Sequence, residues 1–223
     1  MASLRDRILG PPVPKAELAQ HADRYRKPSL FFGSAALLLM VSLLLPYWIL
    51  RLQAPQFPDG LVVRAYVNRL EGDVQILEGL NHYVGMPSFE HGAVLERSVS
   101  IIAIVVLAGL LLAAFFIHSR WVVLLALPAV LFPLAFLADL QFWLWRYGHS
   151  LDPRAPLANA VGEFTPPIFG PAKIAQFHTL ALPGPGLILA TIASVLVGFG
   201  LYHHRKAYKP LLDRILAGER DQP

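Results

Sequence analysis

The side chains with the most chemical reach in this sequence are a histidine and a methionine four positions apart. His82 and Met86 stand in the stretch Leu80-Asn81-His82-Tyr83-Val84-Gly85-Met86. On a helix, residues at that spacing share one face, so an imidazole and a thioether would both reach a single soft metal ion, copper above all. Such a pair needs a third donor, and His91, His149 and His178 are the candidates; Glu90 stands beside the first of them. The competing role is structural, with His82 hydrogen-bonded and Met86 packed against lipid or protein. The sequence contains no Cys, which excludes disulfides, thiolate zinc sites, iron–sulfur clusters and covalent c-type haem attachment. Any metal would be held by His, Met, carboxylate or backbone oxygen.

Two further sets of residues have chemical potential. His118, His203 and His204 could supply axial imidazoles to a haem b if they lay on facing helices. They adjoin Arg120 and Arg205, so anchoring at a membrane interface is the rival reading. Asp139, with Gln141 close by, is an ionisable group inside an apolar run, the usual mark of a proton path or a metal ligand. Its rival roles are an inter-helix contact or pairing with Arg146 or Arg97. There is no phosphate-binding loop, no HExxH, no GxSxG and no dinucleotide-binding glycine set, so no catalytic motif points to an enzyme.

The elements that would position these residues follow from hydropathy. The 223 residues are 55% hydrophobic and only 15% charged, against about 25% charged in soluble domains. Crossing the hydrocarbon takes ~20 mainly apolar residues in a helix, because every backbone polar group must be satisfied internally. Leu30–Leu50, Ser98–His118, Trp121–Trp145 and Pro185–Tyr202 meet that description, the third carrying Pro128 and Pro133. The expectation is an all-α integral membrane protein with four transmembrane helices and two ordered, Pro-rich extracytoplasmic loops.

Charge sets the orientation. Segments 1–29, 119–120 and 203–223 carry twelve Lys and Arg, whereas the longer segments 51–97 and 146–184 carry seven. The positive-inside rule places the first group, with both termini, in the cytoplasm of a bacterial inner membrane and the two long loops outside. The basic ends read as orientation charge, not as a nucleic-acid patch. Ala2–Leu9 has the pattern of a small interfacial helix.

Within the first loop, Leu61–Asn68 reads as a strand. A helix lying on the membrane surface is expected from Asp73, its N-cap, because Val74, Leu77, Leu80, Asn81 and Val84 recur at helical spacing. The second loop has too much Pro and Gly for a long helix and too many apolar and aromatic residues for a loose linker. It is expected to be ordered, extended and packed on the helix ends or on a partner, a surface suited to docking.

Several strings in these loops are distinctive: Arg69-Leu70-Glu71-Gly72-Asp73-Val74 with Leu80–Met86, and Tyr147-Gly148-His149-Ser150-Leu151-Asp152-Pro153 with Phe164-Thr165-Pro166-Pro167 and Lys173-Ile174-Ala175-Gln176-Phe177. Together with the helix count they resemble the NosB family, four-span membrane proteins encoded beside nitrous oxide reductase in clade II, Sec-exported gene clusters. The resemblance covers roughly residues 30–203. It implies nitrous oxide respiration, copper-enzyme maturation or electron supply to a periplasmic reductase. His82, Met86 and His149 fall inside the matching strings.

Three functions fit. The first is a non-catalytic accessory protein that docks a periplasmic or membrane partner and handles copper at His82 and Met86. The second is a haem-b- or quinol-linked anchor passing electrons, with His118 and His203 or His204, or else His149, as ligands. The third is a purely structural subunit of a larger membrane complex.

Overall fold

The computed structural model describes residues 9–10, 13–174 and 176–220. The interfacial helix expected at Ala2–Leu9 lies outside these residues apart from Leu9. In chain order the described elements are α1 (Lys15–Gln20), α2 (Ala22–Ser42), β1 (Trp48–Ala54), β2 (Phe57–Ala65), β3 (Leu70–Gly72) and α3 (Val74–Val84). There follow α4 (Val94–Ala113), α5 (Val122–His149), α6 (Ala158–Val161), β4 (Gly170–Ile174), β5 (Phe177–Pro183) and α7 (Pro185–Arg220).

Two features correct the all-α, four-span expectation. The architecture is mixed α/β, because the loops build a five-stranded antiparallel sheet of order β3-β2-β1-β5-β4. Three helices among the described residues, not four, are long and apolar enough to cross a membrane: Val94–Phe116, Val122–His149 and Pro185–Leu211. The run Leu30–Leu50 divides. Helix α2 stops at Ser42 and Trp48–Leu50 already belong to β1. The helical apolar part from Leu30 therefore spans only ~20 Å, short of a hydrocarbon core of ~30 Å.

The chain forms two compact units, one of residues 1–40, 104–132 and 190–223, the other of 41–103 and 133–189. In the first, the helices meet through small side chains: Ala35, Ala126, Ala190 and Ala193 are fully buried, with Phe32, Leu39, Ile104, Leu111 and Val197 between them. Small residues let helix backbones approach where no hydrophobic drive separates protein from lipid. A Cβ at Gly200 would come within 2.6 Å of the Phe32 ring. The Ser194 hydroxyl donates to the Val130 carbonyl at 2.8 Å, a polar link of the kind that joins helices in lipid.

The second unit is organised by the sheet. Side chains alternate along β1 and β5, and one face carries Leu52, Ala54, Leu61, Val63 and Phe177 against Leu77 and Val84 of α3. The Asp73 side chain does not cap α3 as expected. It accepts from the Val62 backbone N–H at 2.8 Å, while the Asp73 N–H donates to the Val62 carbonyl at 3.0 Å, so the residue pins the helix start to β2. Helix α3 ends at Gly85, whose φ of +88° is the left-handed conformation that suits glycine.

Strands β1 and β5 each adjoin a long helix, and the chain crosses itself tightly where they do. The Gly184 N–H donates to the Tyr47 carbonyl and the Gly186 N–H to the Pro46 carbonyl, both at 2.9 Å. The Tyr47 hydroxyl hydrogen-bonds Ser42 Oγ at 2.7 Å in a buried setting, and burial pushes that hydroxyl's pKa up to about 12. A Cβ on Gly184 would lie 2.1 Å from the Pro46 carbonyl oxygen. Gly184→Ala is therefore expected to cost about 1–3 kcal/mol in a denaturant titration of the detergent-solubilised protein. Gly198→Ala, in open space within α7, should leave the midpoint unchanged or raise it; a Gly184→Ala midpoint no lower than that of wild type would show that the crossing is not tight.

Candidate docking face

The face of the sheet turned away from α3 is open. Residues directly opposite in an antiparallel ladder point to the same side, so the register gives its composition. One row is Arg64, Ile49 and Leu182; the next is Val62, Arg51, Leu180 and Pro171; a third is Gln53, His178 and Lys173. Arg51, Arg64, Gln53, Lys173 and His178 are exposed, as is Leu180. Glu71 is the acid that the register puts on this face, opposite Arg64. Arg69 donates to it at 2.6 Å and holds its carboxyl below the usual range. Arg69 also lies 4.0 Å over the Tyr66 ring. The result is a cationic surface with an aliphatic centre.

Beneath that surface, the two distinctive strings of the sequence are joined. The Asp152 N–H donates to the Gly85 carbonyl at 2.8 Å and the Leu157 N–H to the Tyr83 carbonyl at 3.0 Å. Met86, Leu151 and Phe164 pack on the same apolar cluster. A Cβ on Gly85 would meet Asp152 and Ala155 at 2.8 Å, so the glycine both ends α3 and admits the second loop. The Tyr147 hydroxyl reaches the Ser88 carbonyl at 3.4 Å. Phe89 takes its backbone partner from Glu78 Oε2 at 3.0 Å.

This arrangement puts His82 and Met86 in different settings. Helix α3 ends at Val84, so Met86 is beyond the last turn, half-buried in the cluster, while His82 is exposed. The one-face argument fails because Gly85 breaks the helix between them. His91 is exposed in a short 3₁₀ turn, Phe89–His91, and His178 lies on the open sheet face. His149 Nδ1 hydrogen-bonds the Trp145 carbonyl at 2.9 Å, and its Nε2 stands 3.9 Å from Glu163. Among the described residues no group of three His, Asp or Glu could hold a metal ion.

The histidines considered for haem have other partners. His204 is buried and its Nε2–H donates to the Ile117 carbonyl at 2.8 Å. His118 stacks on Tyr208 with ring centroids 4.6 Å apart, and His203 stacks on Phe31 at 5.3 Å. Asp139 is half-buried, one turn before Trp143, with Glu96 as a neighbouring charge. Among the described residues no ion pair joins it to Arg97 or Arg146: the Arg97 guanidinium donates to the Glu90 carbonyl, and Arg146 lies over the Trp143 ring.

No protein-family model and no curated protein matches the chain.

The cationic face escaped the sequence reading because its residues come from strands more than a hundred positions apart. The sequence carries no polar–apolar alternation at His178-Thr179-Leu180-Ala181-Leu182; the period of two appears only in burial. For the His–Met pair, metal analysis of the double variant His82→Ala, Met86→Leu is expected to show the same copper content as wild type. Met86→Ala alone should lower stability by about 1–2 kcal/mol, a partial version of the loss on truncating a fully buried Met. A copper deficit in the double variant would restore the pair as ligands.

Proposed function

We propose that the chain is a non-catalytic membrane accessory protein whose sheet docks an acidic extracytoplasmic partner. The observation that carries this reading is the open face bearing Arg51, Arg64, Lys173 and His178 around Ile49, Leu180 and Leu182. Exposed cations steer an anionic partner and set its orientation, while an aliphatic centre gives the contact its hold. The Lys and Arg distribution supports a bacterial inner membrane location with the basic turn at Arg120 and the basic tail in the cytoplasm.

The resemblance of the loop strings to the NosB family supplies the context: service to nitrous oxide reductase, in maturation or electron supply. The joining of those same strings around Gly85 and Asp152 supports their acting as one structural unit. An electron-carrying anchor draws less support, since His204 is committed to a backbone carbonyl and His203 to an aromatic stack.

The test is binding between the purified full-length protein and nitrous oxide reductase, followed at low and high salt. Wild type is expected to bind, with affinity falling as salt rises. The triple variant Arg51→Glu, Arg64→Glu, Lys173→Glu should lose at least about tenfold in affinity, chiefly through a slower on-rate, while inserting normally. Binding indifferent to salt and to this variant would refute the cationic face as the dock.

A further inference from the structure

Unit 1 contains an open groove of about 860 Å³ that the docking role leaves unused. Its floor is one stripe of α2, in which Ala22, Arg26, Ser29, Leu30, Gly33 and Leu37 recur at three- and four-residue steps. From Ala22 to Leu37 that stripe is about 22 Å long. Its chemistry is divided. Arg26 and Ser29 stand at one end, and Leu30, Gly33 and Leu37 continue the stripe, with Phe115 as a wall beside Gly33. Leu30 and Leu37 are 68% and 64% exposed, so the apolar part opens sideways.

We propose that this groove binds one anionic phospholipid, with its phosphate on Arg26, an ester carbonyl at the Ser29 hydroxyl and one acyl chain along Leu30, Gly33 and Leu37. Three observations support that occupant. Apart from Ser34, the polar and apolar parts of the α2 stripe are ordered along one axis as head and tail are in a lipid. The charged lining is cationic: among the described residues no carboxylate lines the groove, and Asp23, one turn from Arg26, is exposed outside it. The apolar part also lies at the depth of a membrane-length helix, since Phe31 stacks on Phe199 and Phe32 packs against Gly200 of α7. A quinone would match the tail but would leave Arg26 without an anion.

The test is native mass spectrometry of the full-length protein in non-ionic detergent, titrated with phosphatidylglycerol or with phosphatidylcholine bearing the same two chains. Wild type is expected to hold one lipid and to prefer phosphatidylglycerol about fivefold, the effect of one basic side chain at an anionic headgroup. Arg26→Gln should bring the two lipids to parity, and Arg26→Lys should keep the preference. Gly33→Leu, which fills the groove against Phe115, should remove both lipids, whereas Gly109→Leu, in open space on α4, should not. Leu37→Gln offers a second way to weaken the tail contact if Gly33→Leu does not fold. Equal retention of the two lipids by wild type would overturn the proposal, as would a quinone bound in preference to phosphatidylglycerol and lost in Gly33→Leu.

Discussion

The pairing of β1 with β5 is the constraint on which the sheet-bearing unit depends. These strands meet in continuous register from Trp48 against Pro183 to Gln53 against His178, yet they are contributed by segments more than a hundred residues apart. Closing a loop of that length carries an entropic cost, though one that grows only slowly with length. The cost is offset where the chain crosses itself: two backbone hydrogen bonds from Gly184 and Gly186, the buried Ser42–Tyr47 link, and the contact allowed by the missing side chains. The remaining strands add at the two sides of this pair, β2 and β3 on one and β4 on the other.

Much of the helical part was legible because hydrocarbon is an unforgiving solvent. A run such as Ser98–His118 has few alternatives to a helix in that solvent, and α4, α5 and α7, the described helices long and apolar enough to cross a membrane, fall where hydropathy puts them. The first run was misjudged because hydropathy does not distinguish a helix from an apolar strand. Leu30–Leu50 is uniformly apolar, but Pro46 interrupts it, and Trp48–Ala54 already alternates in burial. Length alone suggested one helix, where Pro and the change of period mark two elements.

The sheet itself was only partly legible. Strand β2 could be seen in Leu61–Asn68, and α3 was foreseen from its apolar spacing, because both are local patterns. Strands β4 and β5 were hidden by Pro171, Pro183 and the neighbouring glycines, which argued correctly against a helix but did not reveal a ladder partner. The candidate site shared this fate. Its cations look unremarkable singly, and only register places Arg51 opposite Val62 and Leu180, and Lys173 opposite His178. The His82–Met86 pair shows the reverse error, where helical spacing was projected through Gly85 into backbone that is no longer helical.

The way the sheet ends bears on how a partner could use it. An exposed edge strand invites pairing with any other strand, so folded proteins blunt their edges. Here one edge is β3, only three residues long, and the other is β4, which carries Pro171 and Lys173. Proline has no N–H to offer an added strand and is tolerated in a sheet chiefly at such an edge. Strand addition at either side is thus discouraged, whereas the broad face between them is neither covered by a helix nor neutralised beyond Glu71. On the proposed docking role, a partner is therefore recognised by side chains rather than by backbone. Recognition of that kind is sensitive to the sign of its charges, and it leaves the β1–β5 ladder intact when the partner departs.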